Sequence, residues 1–330
     1  MEFIAEYGMF LAKFLTVVLV IIIAAGSIFI LFMRTRAGVE GHLDVRNLNQ
    51  KYETMNLLLN SQILPKKEFK KSLKEHKAEH KKREKQTGVD EIQKRIFVLD
   101  FKGDIKATDV ASLREEITAV LTVAKNDDEV VVLIESSGGT VHGYGLAASQ
   151  LKRIRDKGIK LTVAVDKIAA SGGYMMACVA NKIIAAPFAI IGSIGVLAQI
   201  PNFYRLLKKH EIDFEQITAG EYKRTLTLFG ENTDADREKL KEELEETHQL
   251  FKDFILDNRK QVEIEKIATG EHWYGKRALE LNLVDELKTS DDYLCSAATN
   301  ADIYEIDYIR KKPFSEKIIS IGAKLFDHFS

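Results

Sequence analysis

The chain has 330 residues, 45% of them hydrophobic, and a formal net charge of −1 at pH 7. This length is enough for one large hydrophobic core or two modest ones. The near-neutral charge argues against a general nucleic-acid binder, a class that relies on an excess of Lys and Arg. The two cysteines, Cys178 and Cys295, cannot form a disulfide framework, so the redox compartment stays open.

The N-terminal segment predicts a membrane anchor. Phe14 to Met33 contains no charge and has about the 20 residues that a helix needs to cross the hydrocarbon core. The apolar run continues past the small residues 24–27, and the residues before it include Glu2 and Glu6 rather than a basic cluster. Both features favour an uncleaved anchor over a signal peptide. The arginines after the span favour a cytoplasmic domain, but long domains cross membranes regardless of charge, so the side stays open.

Residues 66–95 have a different composition, with 12 Lys or Arg against 6 acidic residues and almost no large apolar side chain. This composition predicts a solvated tether, and attraction to anionic lipid headgroups is the functional alternative. The sequence then divides into four parts: an anchor at 1–36, a polar and basic juxtamembrane tether at 37–95, a globular domain at 96–290 and a C-terminal extension at 291–330.

The globular part alternates apolar, strand-like runs with amphipathic helical stretches. Strands are predicted at 96–101, 129–134, 159–165, 182–186 and 212–218, helices at 107–124, 146–154, 171–180, 202–210 and 234–260, and a turn at 270–275. This alternation predicts an α/β fold with a parallel sheet covered on both faces. The second long uncharged run, residues 183–200, is broken by Pro187, Gly192 and Gly195 and is therefore interpreted as core rather than as a membrane span.

Ser171 lies at the predicted turn from a strand into a helix that begins with Gly172 and Gly173. Nucleophiles are often held at such turns, and N–H groups at the start of a helix face any developing negative charge. The alternative interpretation is a purely structural one, in which Ser171 only caps the helix. A nucleophilic serine also needs a base and an oxyanion site, so the rest of the chain must decide.

Gly138 and Gly139 end another predicted strand at the same edge of the sheet, where parallel sheets bind ligands. Their N–H groups and that of Gly172 are candidate donors to an oxyanion, and the alternative is a simple tight turn. Two residues are candidate bases. His142 lies three residues beyond Gly139, and Lys223 lies in a predicted loop, where its amine would have to be buried to become neutral.

Five motifs follow one another along the chain: Ser136-Ser-Gly-Gly139, Ala169-Ala-Ser-Gly-Gly-Tyr174, Gly192-Ser-Ile-Gly-Val196, Gly220-Glu-Tyr-Lys223 and Leu283-Val-Asp285. In this order they resemble the signal peptide peptidase SppA family of serine peptidases, and the anchor and basic tether are similar to those of a half-length inner-membrane member. The resemblance covers the anchor and about residues 96–287. One departure is Ser137, where the family usually has proline, and this predicts a looser turn.

The resemblance implies a ClpP/crotonase-like domain with a parallel sheet and repeated ββα-type units. It implies Ser171 as nucleophile, Lys223 as general base, and an oxyanion hole from Gly138 or Gly139 together with Gly172. It further implies a peptide or protein substrate, no cofactor or metal, a location in the bacterial inner membrane, and a homo-oligomeric ring in which Lys223 can come from the neighbouring subunit. Three alternatives stay open: a peptidase with His142 as base, a crotonase-like acyl-CoA enzyme, and a membrane scaffold with an inactive peptidase domain.

Overall fold

The computed structural model describes residues 8–11, 13–21, 41–71, 73, 74, 78, 94–220 and 222–310. Two compact units are present, Met1–Asp44 with Tyr308–Ser330, and Val45–Asp307. In the first unit, residues 8–11 and 13–21 are helical, and the Gly41 N–H group donates to the Tyr308 hydroxyl at 3.0 Å. The second unit holds the elements that carry the candidate site.

Much of the predicted anchor lies outside the described residues, since these stop at residue 21 and resume at residue 41. Where the chain is described, none of its helices has both the length and the apolar character needed to span a bilayer. The tether between residues 79 and 93 and the end of the C-terminal extension, residues 311–330, also lie outside the described ranges.

Ten strands are assigned among the described residues: β1 (His42–Asn47), β2 (Arg95–Gly103), β3 (Glu129–Ser136), β4 (Lys160–Val165), β5 (Ile168–Ala170), β6 (Lys182–Ala185), β7 (Ile190–Gly192), β8 (His272–Tyr274), β9 (Glu286–Leu287) and β10 (Asp302–Ile309). The helices whose bounds are described in full are α1 (Leu48–Ile63), α2 (Val110–Val123), α3 (Val141–Asp156), α4 (Gly172–Ala177), α5 (Tyr204–Lys209), α6 (Asp234–Asn258), α7 (Ile264–Ile267), α8 (Gly275–Glu280) and α9 (Ser290–Ala297).

The strands pair in the order β1-β10-β2-β3-β4-β6-β9. Every pairing from β10 to β9 is parallel. A short branch leaves this path where Ala169 of β5 lies opposite Ser136 at the carboxyl end of β3; β7 continues the branch in parallel, and β8 pairs with β7 antiparallel. The prediction of an α/β fold with a mostly parallel sheet is confirmed.

The alternation of side chains along β2 supplies apolar groups to both faces of the sheet. Leu99 and Phe101 belong to the larger core cluster, to which α2, α3 and α4 contribute. Ile96 belongs to a smaller cluster that contains Leu48 of α1 and Leu294 of α9. Both faces are therefore covered, as a parallel sheet requires, and each large apolar side chain that is fully buried stabilises the fold by about 1.5–3 kcal/mol.

Four segments differ from the prediction. Residues 212–218 form no strand where the structure describes them, and Phe214 instead contacts the Phe229 ring, with 5.7 Å between centroids. Among the described residues, no strand pairs with this segment, so its apolar pattern alone does not produce a strand. The predicted turn contains β8, which pairs with β7. The sheet also extends outside 96–290, because β1 lies in the predicted tether and β10 in the predicted C-terminal extension.

Candidate active site

Ser171 lies between β5 and α4 with an unusual backbone conformation. Its φ of 51° and ψ of −117° are rarely adopted by residues other than glycine and cost on the order of 1–3 kcal/mol. The Ser171 N–H group donates to the Gly192 carbonyl oxygen at 2.7 Å, and the Ser171 carbonyl oxygen accepts from the Met175 N–H group at 2.9 Å. These bonds fix the residue between β7 and α4, so the surrounding structure maintains the strained conformation.

The side chain of Ser171 is not used to cap the helix, since it makes no capping hydrogen bond to α4. It is half-buried at the strand end. The interpretation of Ser171 as no more than a helix cap is therefore wrong, and the hydroxyl is available for other chemistry.

Gly138 lies directly against Ser171. Its φ is 89°, and a Cβ atom at this position would lie 2.8 Å from the Ser171 Cβ atom and 2.7 Å from the Gly172 nitrogen. Both the left-handed backbone and the close approach require glycine here. The fold thus brings the Gly-Gly turn after β3 and the start of α4 together around Ser171.

The three candidate oxyanion donors differ in how their N–H groups are used. The Gly138 N–H group donates to Ser136 Oγ at 3.0 Å. The Gly139 N–H group has no acceptor in the part of the chain that the structure describes. Gly172 is the first residue of α4, where N–H groups lack a partner within the helix. The geometry therefore favours Gly139 and Gly172 over Gly138 as donors to a ligand.

Two buried hydroxyl groups lie beneath this turn, and sequence reasoning did not identify them. Ser136 Oγ is 2.5 Å from the Tyr144 hydroxyl oxygen, and that hydroxyl donates to the Asp104 carbonyl oxygen at 2.8 Å. Burial, the largest cause, raises the pKa of Tyr144, so the hydroxyl keeps its proton. The only signal in the sequence is a tyrosine one turn into the helix that follows Gly138 and Gly139.

Neither candidate base makes a hydrogen bond to Ser171 in the described part of the chain. Lys223 is exposed, and in the described structure its side chain makes no hydrogen bond to Ser171; its backbone N–H donates to the Gly220 carbonyl oxygen at 3.2 Å. His142 is exposed in the first turn of α3 and likewise makes no such bond among the described residues. No group of three or more His, Cys, Asp or Glu side chains within the described ranges is placed to hold a metal ion.

Lys223 belongs to a surface segment, residues 197–232 without the undescribed residue 221, which we call the exposed segment. It makes contacts within itself: the Asn202 amide donates to the carbonyl oxygens of Thr227 and Gly230 at 2.9 and 3.0 Å, and the rings of Phe203 and Phe229 stack. Many of its large apolar side chains nevertheless face solvent: Leu197, Ile200, Phe203, Leu206, Ile212, Phe214, Ile217, Leu228 and Phe229, with Ile217 95% exposed.

Known proteins match almost the whole sequence. Residues 2–151 match the profile of the peptidase family S49 N-terminal region, and residues 153–304 match that of peptidase family S49. A Haemophilus influenzae relative named "Probable protease SohB" is 49% identical over 325 residues, which are 96% of this chain and 92% of the relative. A relative of the same name from Buchnera aphidicola subsp. Acyrthosiphon pisum is 60% identical over 225 residues, 68% of this chain and 67% of the relative.

Among solved structures, a variant of the 1510-N membrane-bound stomatin-specific protease in complex with a substrate peptide is similar to this chain. The structural alignment covers 70% of this chain and 98% of that protease chain, with a TM-score of 0.42 and 14% sequence identity.

Proposed function

The chain belongs to peptidase family S49 and is a serine-type peptidase, and from this premise we propose that it is a membrane-anchored endopeptidase with a Ser171/Lys223 dyad. Its substrates are peptides or unfolded protein segments near the membrane, and its domain is of the ClpP/crotonase-like type. One observation carries the proposal: Ser171 has a strained backbone at a strand-to-helix turn, and its hydroxyl is not used by the helix. Strain of this kind is concentrated at functional sites.

The proposed reaction passes through an acyl-enzyme. The neutral Lys223 amine takes the proton of Ser171 Oγ while Oγ forms a bond to the scissile carbonyl carbon, whose oxygen takes up the negative charge. The resulting ammonium group returns the proton to the leaving amine as the C–N bond breaks. Water then attacks the ester with Lys223 again as base, and this step releases the peptide acid and regenerates Ser171.

We assign the oxyanion hole to the N–H groups of Gly139 and Gly172. The support for this choice is that the Gly138 N–H group already donates to Ser136 Oγ. Gly138 contributes by shape, because it lets the turn approach Ser171 and Gly172 closely. Loss of one oxyanion donor typically lowers kcat by about 10²–10³-fold.

The base is proposed to act from a neighbouring subunit of a homo-oligomeric ring. Lys223 is exposed and makes no hydrogen bond to Ser171 in the described chain, and the exposed segment around it presents apolar side chains to solvent. Clusters of exposed apolar side chains, such as the contacting rings of Phe203, Phe214 and Phe229, are typical of contact sites. Burial of the exposed segment against a second copy would also favour the neutral amine that a general base requires.

The anchor and its membrane are part of the proposal. Residues 14–33 carry no charge and suffice to cross a bilayer, and residues 14–21 are helical in the structure. We assign the N-terminal helix to the bacterial inner membrane, with the lipid bilayer as its partner. A topology reporter fused after Ser330 identifies the side on which the catalytic domain lies.

The test uses purified full-length protein in detergent with fluorogenic peptides. Ser171→Ala and Lys223→Ala should each reduce hydrolysis by at least about 10³-fold without loss of folding, because each removes half of the dyad. His142→Ala should retain activity. Co-expressed Ser171→Ala and Lys223→Ala chains should recover hydrolysis, because one mixed interface then contains both an intact serine and an intact lysine.

Other outcomes identify the competing functions. A Ser171→Ala protein with wild-type hydrolysis would end the proposal. Absence of labelling by a fluorophosphonate, under conditions that label an active relative, would favour the scaffold. Turnover of an enoyl-CoA would favour the crotonase-like enzyme, and loss of acylation in His142→Ala but not in Lys223→Ala would identify the histidine as base.

A further inference from the structure

Three consecutive hydrogen bonds run beneath the Gly138–Gly139 turn. The Gly138 N–H group donates to Ser136 Oγ at 3.0 Å, Ser136 Oγ lies 2.5 Å from the Tyr144 hydroxyl oxygen, and the Tyr144 hydroxyl donates to the Asp104 carbonyl oxygen at 2.8 Å. Ser136 is 2% exposed and Tyr144 is fully buried, so water does not compete for these bonds. We call this set of bonds the hydroxyl relay.

Only one assignment of donors and acceptors is consistent with all three bonds of the relay. Tyr144 has a single hydroxyl proton and gives it to the Asp104 carbonyl oxygen, which can only accept. Ser136 must therefore donate its own proton to Tyr144, and its remaining lone pairs accept from the Gly138 N–H group. The other acceptor near Ser136 Oγ, the Gly103 carbonyl oxygen, is farther away at 3.4 Å. Each bond in such a chain polarises the next, which strengthens the whole set.

The Tyr144 ring also supports the other side of the site. A Cβ atom on Gly172 would lie 2.7 Å from Tyr144 Cδ2 and 2.8 Å from Tyr144 Cβ, so the ring is packed directly against the Gly172 backbone. The ring is held in turn by Phe101 in an edge-on contact with centroids 6.3 Å apart. One side chain thus contacts the start of α4 through its ring and the Gly-Gly turn through its hydroxyl.

We propose that Tyr144 and Ser136 are positioning residues for the oxyanion hole. They hold the Ser137–Gly138 peptide with its N–H group directed into the protein, and this orientation leaves the next N–H group, that of Gly139, for the substrate. A turn of Ser137, Gly138 and Gly139 has many accessible conformations, because glycine accepts φ of either sign. The relay selects one of them. This inference rests on the proposed function, since it describes how the same site is prepared for catalysis.

The experiment compares two buried tyrosines in the full-length protein. Tyr144→Phe keeps the ring against Gly172 and removes only the hydroxyl. Tyr174→Phe is the matched control, because Tyr174 is also fully buried and its hydroxyl also donates to a backbone carbonyl oxygen, that of Leu283, at 3.0 Å. That bond has no connection to the Gly138 turn. Both variants should therefore lose similar thermal stability.

Of the two tyrosine variants, only Tyr144→Phe should change catalysis. We expect kcat to fall about tenfold with KM within about twofold, a smaller effect than the 10²–10³-fold loss of a whole donor, because the donor is displaced rather than removed. Inhibition by a peptide aldehyde, whose hemiacetal oxygen occupies the oxyanion hole, should weaken by a similar factor. Ser136→Ala removes the acceptor of the Gly138 N–H group and should have the same two effects. Hydrogen exchange of residues 136–143 should be faster in both relay variants and unchanged in Tyr174→Phe.

Two results would overturn the inference: wild-type kcat in Tyr144→Phe, or equal losses of kcat in Tyr144→Phe and Tyr174→Phe. Unchanged hydrogen exchange of residues 136–143 in both relay variants would contradict the relay itself. These failures differ from failure of the proposed function, which would show as a wild-type protein that hydrolyses no peptide or as an active Ser171→Ala protein. Hydrogen exchange is measured independently of activity, so it tests the hydroxyl relay whether or not the protein hydrolyses peptides.

Discussion

Replacement of Gly138 by alanine tests how tightly the turn packs against Ser171, the proposed nucleophile. The added Cβ atom would lie 2.7 Å from the Gly172 nitrogen, 2.8 Å from Ser171 Cβ and 2.9 Å from the Ala170 carbonyl oxygen. None of these atoms is the end of a flexible side chain that could swing away. The substitution therefore combines an unfavourable backbone conformation with a steric overlap.

A second glycine separates these two costs. Gly158 has a similar φ of 76°, but a Cβ atom there would meet nothing nearer than Asn126 Oδ1 at 3.8 Å. Alanine in the left-handed region costs about 1–2 kcal/mol at either position. Overpacking adds about 1–3 kcal/mol at Gly138 alone. We therefore expect Gly138→Ala to reduce the free energy of unfolding by about 2–5 kcal/mol and Gly158→Ala by about 1–2 kcal/mol.

Urea unfolding of the two variants can be followed by the fluorescence of Trp273, the only tryptophan in the chain. Trp273 lies in β8 and packs against Gly192, whose carbonyl oxygen accepts from the Ser171 N–H group, so the probe reports on the sheet that carries the site. Gly158→Ala should keep peptide hydrolysis, and Gly138→Ala should lose it because the turn and Ser171 are forced apart. Equal losses of stability in the two variants would refute the close packing of Gly138 on Ser171.

Two further predictions concern buried charges. Burial by itself would raise the pKa of Glu129, but hydrogen bonds from Lys94, Thr162 and Tyr293 outweigh it and lower the pKa to about 2. Because the folded-state pKa is depressed, this stabilisation is present above the unfolded value of about 4.3 and is lost as pH falls toward 2; it amounts to at most about 3 kcal/mol. When the pH is lowered from about 5 to about 2.5, the free energy of unfolding of Glu129→Gln, measured by urea titration, should therefore fall less than that of wild type. Parallel pH profiles of the two proteins would contradict the role assigned to Glu129. Asp285→Asn should cost about 3–5 kcal/mol, because it leaves the Arg259 guanidinium, 3% exposed, without the carboxylate that it contacts at 2.8 and 2.9 Å. Glu280→Gln, which breaks the exposed pair with Arg277, should cost under about 1 kcal/mol, and similar losses in both variants would count against the burial argument.

Much of the central sheet follows from the amino-acid sequence alone. Strands buried on both faces are continuous apolar runs, so a run such as Val130 to Ile134 predicts a strand without information about the segments that pack against it. The turn at Ser171 is local in the same sense, since a strand, a serine and two glycines follow each other directly. The order of the five motifs then indicated the family, which the matches to peptidase family S49 confirm.

Other features depend on residues that are distant in sequence. The 212–218 segment has the composition of a strand but no partner strand among the described residues, and β10 joins the sheet beside β2 although its sequence was not recognised as part of the domain. A strand exists only if another strand offers it hydrogen bonds, and no local pattern encodes that partner.

In the candidate active site, too, some features follow from local sequence and others depend on residues that are distant in sequence. The sequence by itself determined a serine at a strand-to-helix turn and two glycines at a neighbouring strand end, because each signal lies within a few residues. Only the tertiary structure shows which N–H group at the Gly-Gly turn already has an acceptor within the protein, that of Gly138, and which has none among the described residues, that of Gly139. The Tyr144 hydroxyl donates to the Asp104 carbonyl oxygen across 40 residues of chain. The bond between the Gly138 N–H group and Ser136 Oγ is local, but its link to Asp104 through Tyr144 exists only because β2, β3 and α3 pack together there. Hydrogen bonds between distant segments are set by which elements pack side by side, and that information is absent from local residue patterns.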